Sequence, residues 1–118
     1  MARILLAEDD DSLRGFLARA LERNGHEVRD CANGDDALDA LGDGPWDLLL
    51  TDIVMPGADG IEVARQAALS QPELRIMFIT GFAAVALSAA RSAPQAKVLS
   101  KPVHLRDLVA EVDRMIAA

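Results

Sequence analysis

The sequence predicts an α/β fold, a doubly wound five-stranded parallel sheet of order 2-1-3-4-5 with five helices, and three observations predict it. Runs such as Leu48–Thr51 and Ile76–Ile79 are short, uncharged and bounded, as strands buried on both faces are. Between such runs lie stretches whose apolar residues recur at helical spacing. The two kinds alternate over all 118 residues without linker, repeat or low-complexity tract, which calls for crossover connections and a parallel sheet.

The elements follow in order. Arg3-Ile4-Leu5-Leu6-Ala7 is the first strand and breaks into Glu8-Asp9-Asp10-Asp11. From Ser12 the period changes: Leu13, Phe16, Leu17, Ala20 and Leu21 share one helical face, and Asn24-Gly25 stops the helix. Glu27 to Cys31 reads as the second strand. Asn33-Gly34 turns the chain into a helix carrying Ala37, Leu38 and Leu41, which ends at Gly42 to Pro45. The third strand, Leu48 to Thr51, delivers Asp52 at its carboxyl end, and Pro56-Gly57 stops it from continuing. Asp59-Gly60 opens a helix from Ile61 to about Leu69, closed by Gln71-Pro72. Arg75 to Ile79 is the fourth strand, ending in Thr80-Gly81, and Ala83 to Arg91 is an alanine-rich helix. Lys97 to Ser100 is a brief fifth strand ending in Lys101-Pro102. Leu105, Leu108, Val109, Val112 and Ile116 then form the inner stripe of a last helix.

Composition narrows the function. One domain fits the length, and its core must be aliphatic, with three Phe, one Trp and no Tyr. Net charge is −7, and the acids concentrate in the first half. No Lys/Arg cluster is present, which argues against nucleic-acid binding. The single cysteine, Cys31, forbids an internal disulfide and reads as a small buried side chain. No signal peptide is visible, and the uncharged stretch Ile76 to Ala90 is too short to cross a bilayer. The expectation is a cytoplasmic protein of one domain, without membrane insertion, monomeric or weakly dimeric.

Asp52 is the residue on which the rest converges. In an open parallel sheet ligands bind at the carboxyl ends of the strands, at the switch point between strands one and three. Those ends deliver Glu8, Asp9 and Asp10, then Asp52, Thr80 and Lys101. Carboxylates crowded together repel unless protons or a cation neutralise them. Mg²⁺, a hard ion that keeps waters for a phosphate to replace, suits such a site. Lys101 can pair with Asp52 when the site is empty and with an anion when it is filled. The Thr80 hydroxyl can donate to a phosphoryl oxygen. These parts suffice for a carboxylate to accept a phosphoryl group as an acyl phosphate.

These residues resemble the receiver domain of two-component response regulators, whose fold is flavodoxin-like. The matching pieces are Ile4 to Asp10, Leu50 to Pro56, Asp59-Gly60, Phe78 to Gly81 and Ser100 to Pro102. Their order and spacing carry the resemblance across the whole chain. It implies Asp52 as phosphoacceptor, with Thr80 and Lys101 on the phosphoryl oxygens. It implies Mg²⁺ held by Asp9 directly, Glu8 through water, Asp52, and the backbone carbonyl of Val54. It also implies a cis Lys101-Pro102 bond and a histidine kinase or histidine phosphotransfer protein as donor. Within the family, the runs Ile76–Leu87 and Lys97–Pro102 resemble alphaproteobacterial regulators that prime the ClpXP protease when unphosphorylated. The implied output is then a contact with ClpX, with no attached output domain. Phosphoryl shuttles and motor regulators are the alternatives.

The sequence also departs from the family pattern. Many receivers carry an aromatic three positions before the lysine; Val98 stands here, so the usual threonine–aromatic coupling cannot operate. Phe82 is a candidate to move in its place, with core packing the plainer reading. Val54 and Phe82 are apolar where some receivers place polar residues that assist hydrolytic water, which predicts slow loss of phosphate. Helix 83–91 has little polar face, suiting either a partner surface or deep packing. Ile116-Ala117-Ala118 resembles a protease tag, although a frayed alanine-rich end explains it equally simply.

Several residues read as structural. Asp11 or Ser12 serves as a helix cap, His26 lies in a turn without a visible partner, and His104 is exposed at the start of the last helix. Met55 and Met77 pack, and Trp46 covers a sheet edge. A dehalogenase-type phosphatase would need an acid two positions after Asp52, where Val54 stands. A nucleotide-binding flavodoxin would need a phosphate loop after the first strand, where the acids stand.

Overall fold

The structure is a computed structural model that describes residues 1–93 and 95–117, apart from the side chains of Ala83, Ala84, Ala86 and Ser92. Strands β1 (Arg3–Ala7), β2 (Glu27–Cys31), β3 (Leu48–Asp52), β4 (Arg75–Thr80) and β5 (Lys97–Ser100) alternate with five helices. These are α1 (Asp11–Arg23), α2 (Gly34–Leu41), α3 (Gly60–Ser70), α4 (Ala83–Ser92) and α5 (Leu105–Ala117). All pairings are parallel and the order is β2-β1-β3-β4-β5, as the sequence predicts.

Alternation along the strands divides the core in two. Leu5, Leu49 and Phe78 face Ala37, Ala40, Val63, Ala64, Ala67 and Ala89 of α2, α3 and α4. Ile4, Leu6, Leu48, Leu50, Met77 and Ile79 face Leu17, Leu21, Leu108 and Val112 of α1 and α5. The small alanines let three helices lie close on one face. The branched side chains opposite fill the other, each fully buried Leu or Ile contributing about 2 kcal/mol. The edge strand β2 is guarded by the exposed charges of Glu27, Arg29 and Asp30.

Four expectations need correction. Phe16 is 54% exposed, because the buried arc of α1 is Leu17, Ala18 and Leu21, turned away from it. The cap of α1 is Asp10, which accepts from the Leu13 amide at 2.9 Å. His26 does have partners: its Nδ1 accepts from the Ala2 amide at 3.2 Å and its Nε2 lies 3.1 Å from Asp113 Oδ1. Asn24 donates to the same carboxylate at 2.8 Å, and together they hold Asp113 below the usual aspartate range. The turn after α1 is thereby fastened to α5. Trp46 is buried in the core, with its indole N–H donating to the Ala40 carbonyl at 3.0 Å and the Arg3 guanidinium 4.3 Å over its ring.

Cys31 is buried and free, Met55 and Met77 pack, and His104 is exposed, its carbonyl accepting from Leu108 at the start of α5. Among the described residues no helix is long and apolar enough to cross a membrane. The tag reading involves Ala118, which lies outside the described residues. In α4, Ala89 is buried and Leu87 is 61% exposed.

Candidate functional site

Parallel strands end at one rim of the sheet, and the order β2-β1-β3-β4-β5 places the ends of β1, β3, β4 and β5 side by side there. Each end is fixed locally. Glu8 follows β1 immediately; its amide donates to the Cys31 carbonyl at 3.0 Å, and its own carbonyl accepts from Arg14 at 3.0 Å. Asp52 closes β3. Its Oδ1 accepts from the Ile53 amide at 2.7 Å, and its carbonyl accepts from the Thr51 hydroxyl at 2.8 Å. Gly60 permits the tight return of the loop. Its amide donates to the Ile53 carbonyl at 2.7 Å, and a Cβ there would stand 2.0 Å from the Asp52 carbonyl oxygen.

Lys101 is the centre of the charge arrangement. Its Nζ lies 2.8 Å from Asp52 Oδ2 and 3.0 Å from Glu8 Oε1. Burial works to depress the Lys101 ammonium, but the close pairing with the Asp52 and Glu8 carboxylates outweighs it, leaving its pKa raised. Thr80, fully buried, accepts from the Phe82 amide at 3.2 Å through its hydroxyl oxygen, and its carbonyl accepts from the Lys101 amide at 2.8 Å. The Lys101-Pro102 bond is cis, as the resemblance implies.

Ligand oxygens of Glu8, Asp9 and Asp52 all lie within 4.8 Å of one another. Glu8 is fully buried. Its Oε2 accepts from the Asp10 amide at 3.1 Å, whereas Oε1 has no aligned hydrogen-bond donor and meets the charge of the Lys101 ammonium 3.0 Å away. Three carboxylates within 4.8 Å of one another, faced by one ammonium and including a desolvated oxygen without an aligned hydrogen bond, fit a hard divalent cation. Asp9 is exposed and leaves the cluster open to solvent, whereas Asp10 is turned to capping. Val54 and Phe82 stand at the rim, 51% and 59% exposed. Phe82 therefore does not pack in the core; the chain leaves β4 and enters α4 with this side chain outward.

Burial pushes the Glu8 carboxyl up to about 7, while the Asp10 amide and Lys101 pull the other way. A carboxyl raised on folding stabilises the protein below its unfolded pKa, and that contribution is lost as pH rises toward the folded value. Without divalent ion, the wild type should therefore lose about 3 kcal/mol relative to Glu8→Gln between pH 4.5 and 8. Parallel denaturant titrations across that range check this, and identical pH profiles for the two proteins would refute it.

The sequence singled out Glu8, Asp9, Asp52, Val54, Thr80 and Lys101, and the fold brings all six to one rim. It did not reveal Arg14 as the support of the Glu8 carbonyl. Only the i, i+3 spacing of Asp11 and Arg14 hinted at order there.

Comparisons with known proteins agree with this geometry. A family model described as "Response regulator receiver domain" matches residues 4–113. The chain is 59% identical over 119 residues to the "Response regulator receiver protein CpdR" of Brucella abortus, covering 100% of this chain and 99% of that protein. It is 35% identical to the "Sensor kinase CckA" of the same organism over 98% of this chain, which spans 12% of that kinase. Among solved structures, the response regulator TrrA of Thermotoga maritima, in complex with Mg²⁺ and BeF, superposes with a TM-score of 0.86. The identity is 28%, with 98% of this chain and 99% of that chain covered.

Proposed function

The chain belongs to the response regulator receiver domain family, and from that premise we propose that it is a phosphorylation-controlled switch with Asp52 as phosphoacceptor. What carries this reading is the single ammonium of Lys101, set 2.8 Å from Asp52 and 3.0 Å from Glu8. An Asp52 oxygen forms a bond to the phosphorus of a phosphohistidine on a kinase or phosphotransfer protein. The N–P bond breaks, the imidazole keeps its electron pair, and it takes a proton from water. Lys101 moves from neutralising carboxylates to neutralising the phosphoryl oxygens, and the Thr80 hydroxyl turns from the Phe82 amide to donate to one of them. Mg²⁺, held by Glu8, Asp9, Asp52 and the Val54 carbonyl, would supply charge neutralisation to the transferring group. The Mg²⁺–BeF complex of TrrA supports that assignment by similarity.

Phosphorylation then biases the β4–α4–β5 region between two packings. Val98 leaves no aromatic to rotate beside Lys101, so the exposed Phe82 and the loop it begins are the readout. The output is a protein contact made by this receiver domain in the cytoplasm, with no substrate turned over beyond its own phosphoryl group. On the resemblance of Ile76–Leu87 and Lys97–Pro102 and the identity to CpdR, that contact is with ClpX, made when Asp52 is unmodified. A phosphoryl shuttle is the alternative, and reversible return of phosphate to a histidine protein would identify it.

Acetyl phosphate with Mg²⁺ should add one phosphoryl group per chain, read by intact mass. Neither Val54 nor Phe82 can orient an attacking water, so the adduct should persist for minutes or longer. Loss within seconds would contradict the apolar rim as a brake, and no adduct at all would contradict the switch.

A further inference from the structure

The loop between β3 and α3 carries the Val54 carbonyl, and α2 grips it from the side. The Gly34 amide donates to the Pro56 carbonyl at 3.2 Å. A Cβ on Gly34 would stand 1.7 Å from the Ala58 carbonyl oxygen, so helix and loop are in backbone contact. Asp35 completes the grip: its Oδ1 accepts from the Ala58 amide at 3.1 Å. Between these contacts lies Gly57, at φ +76°, where a Cβ would meet the Asp35 carboxylate at 2.6 Å. The first turn of α2 is itself anchored, because the Asn33 side chain accepts from the Asp36 amide at 2.8 Å.

The other side of the loop is fixed at Gly60, through Ile53 and against the Asp52 carbonyl. Asp59 is bound to α3, its side chain accepting from the Glu62 amide at 2.9 Å. Between it and Ile53 lie residues 54–58, and within them the described polar contacts run to Gly34 and Asp35. We infer that Asp35 is a positioning residue for the cation site: by holding the Ala58 amide and the Gly57 turn, it sets where the Val54 carbonyl points. The inference rests on the proposed cation site and adds to it a residue on a different helix that never touches the ion. Supporting groups of this kind typically change metal affinity by about tenfold or more when removed.

Two variants separate positioning from charge. Asp35→Asn keeps an acceptor for the Ala58 amide and removes the negative charge; Asp35→Ala removes both. Hydrogen exchange of the Ala58 amide, in protein without divalent ion, should accelerate about tenfold or more in Asp35→Ala and stay near wild type in Asp35→Asn. Mg²⁺ titration followed by amide chemical shifts should show about tenfold weaker binding in Asp35→Ala and about wild-type binding in Asp35→Asn. Equal weakening in both variants would make Asp35 a remote charge and overturn the inference, as would unchanged affinity in Asp35→Ala. Failure of the unsubstituted chain to bind Mg²⁺ would overturn the cation site itself, a result distinct from any difference between variants.

Discussion

Asp52→Asn should take phosphorylation from one group per chain to none while leaving the protein folded. The amide oxygen still accepts from the Ile53 N–H, and Lys101 keeps its Glu8 partner, so neither hydrogen bonding nor charge balance collapses. What disappears is the nucleophile: an amide oxygen does not form a stable acyl phosphate. The variant also separates the chemistry from the output. Immobilised ClpX should retain the unmodified chain and Asp52→Asn alike, and should release only the wild type when beryllofluoride and Mg²⁺ are added. Release of both proteins would place the modification elsewhere. No retention of either, with the wild type still taking phosphate, would keep the switch and discard ClpX as its partner.

Lys101→Met should markedly destabilise the fold. The ammonium separates two buried carboxylates, Glu8 and Asp52, and methionine leaves them facing each other without a cation. Removing one member of a buried ion pair costs about 3–5 kcal/mol. Lys101 retains partial solvent access, so about 2–3 kcal/mol is the appropriate expectation at pH 8 without divalent ion. For a chain of this size that lowers the melting temperature by roughly 10 °C. The deficit should shrink toward pH 6, where Glu8 takes up a proton, and should shrink again on adding Mg²⁺. A melting temperature equal to wild type at pH 8 without Mg²⁺ would show that the carboxylates do not need this cation.

The architecture was legible because period and length agree at almost every element. Four- to six-residue apolar runs cannot be helices, and their alternation with 3.6-period stretches leaves few topologies. The site was legible for a related reason: a parallel sheet gathers strand ends, so residues far apart in sequence become neighbours without knowledge of side-chain packing. Contacts set by packing were not legible. Nothing in the run Glu8 to Asp11 says which acid caps α1, since that depends on where the helix axis starts; the answer is Asp10. His26 finds Asp113 across 87 residues, through the contact of α1 with α5. Phe16 satisfied the helical stripe yet faces outward, because the buried arc of α1 centres on Leu17, Ala18 and Leu21. Phe82 looked like core by composition, but it lies one residue beyond the turn that lifts the chain off the sheet.

The trio Glu8, Asp9 and Asp52, set against one lysine, also has a meaning as electroneutrality. Fully ionised, three carboxylates and one ammonium leave two negative charges unbalanced in a partly desolvated pocket. One divalent ion closes that gap, whereas a single sodium or potassium ion leaves half of it open. Discrimination against the far more abundant monovalent ions then begins with valence, before the size of the cavity or the number of ligands enters.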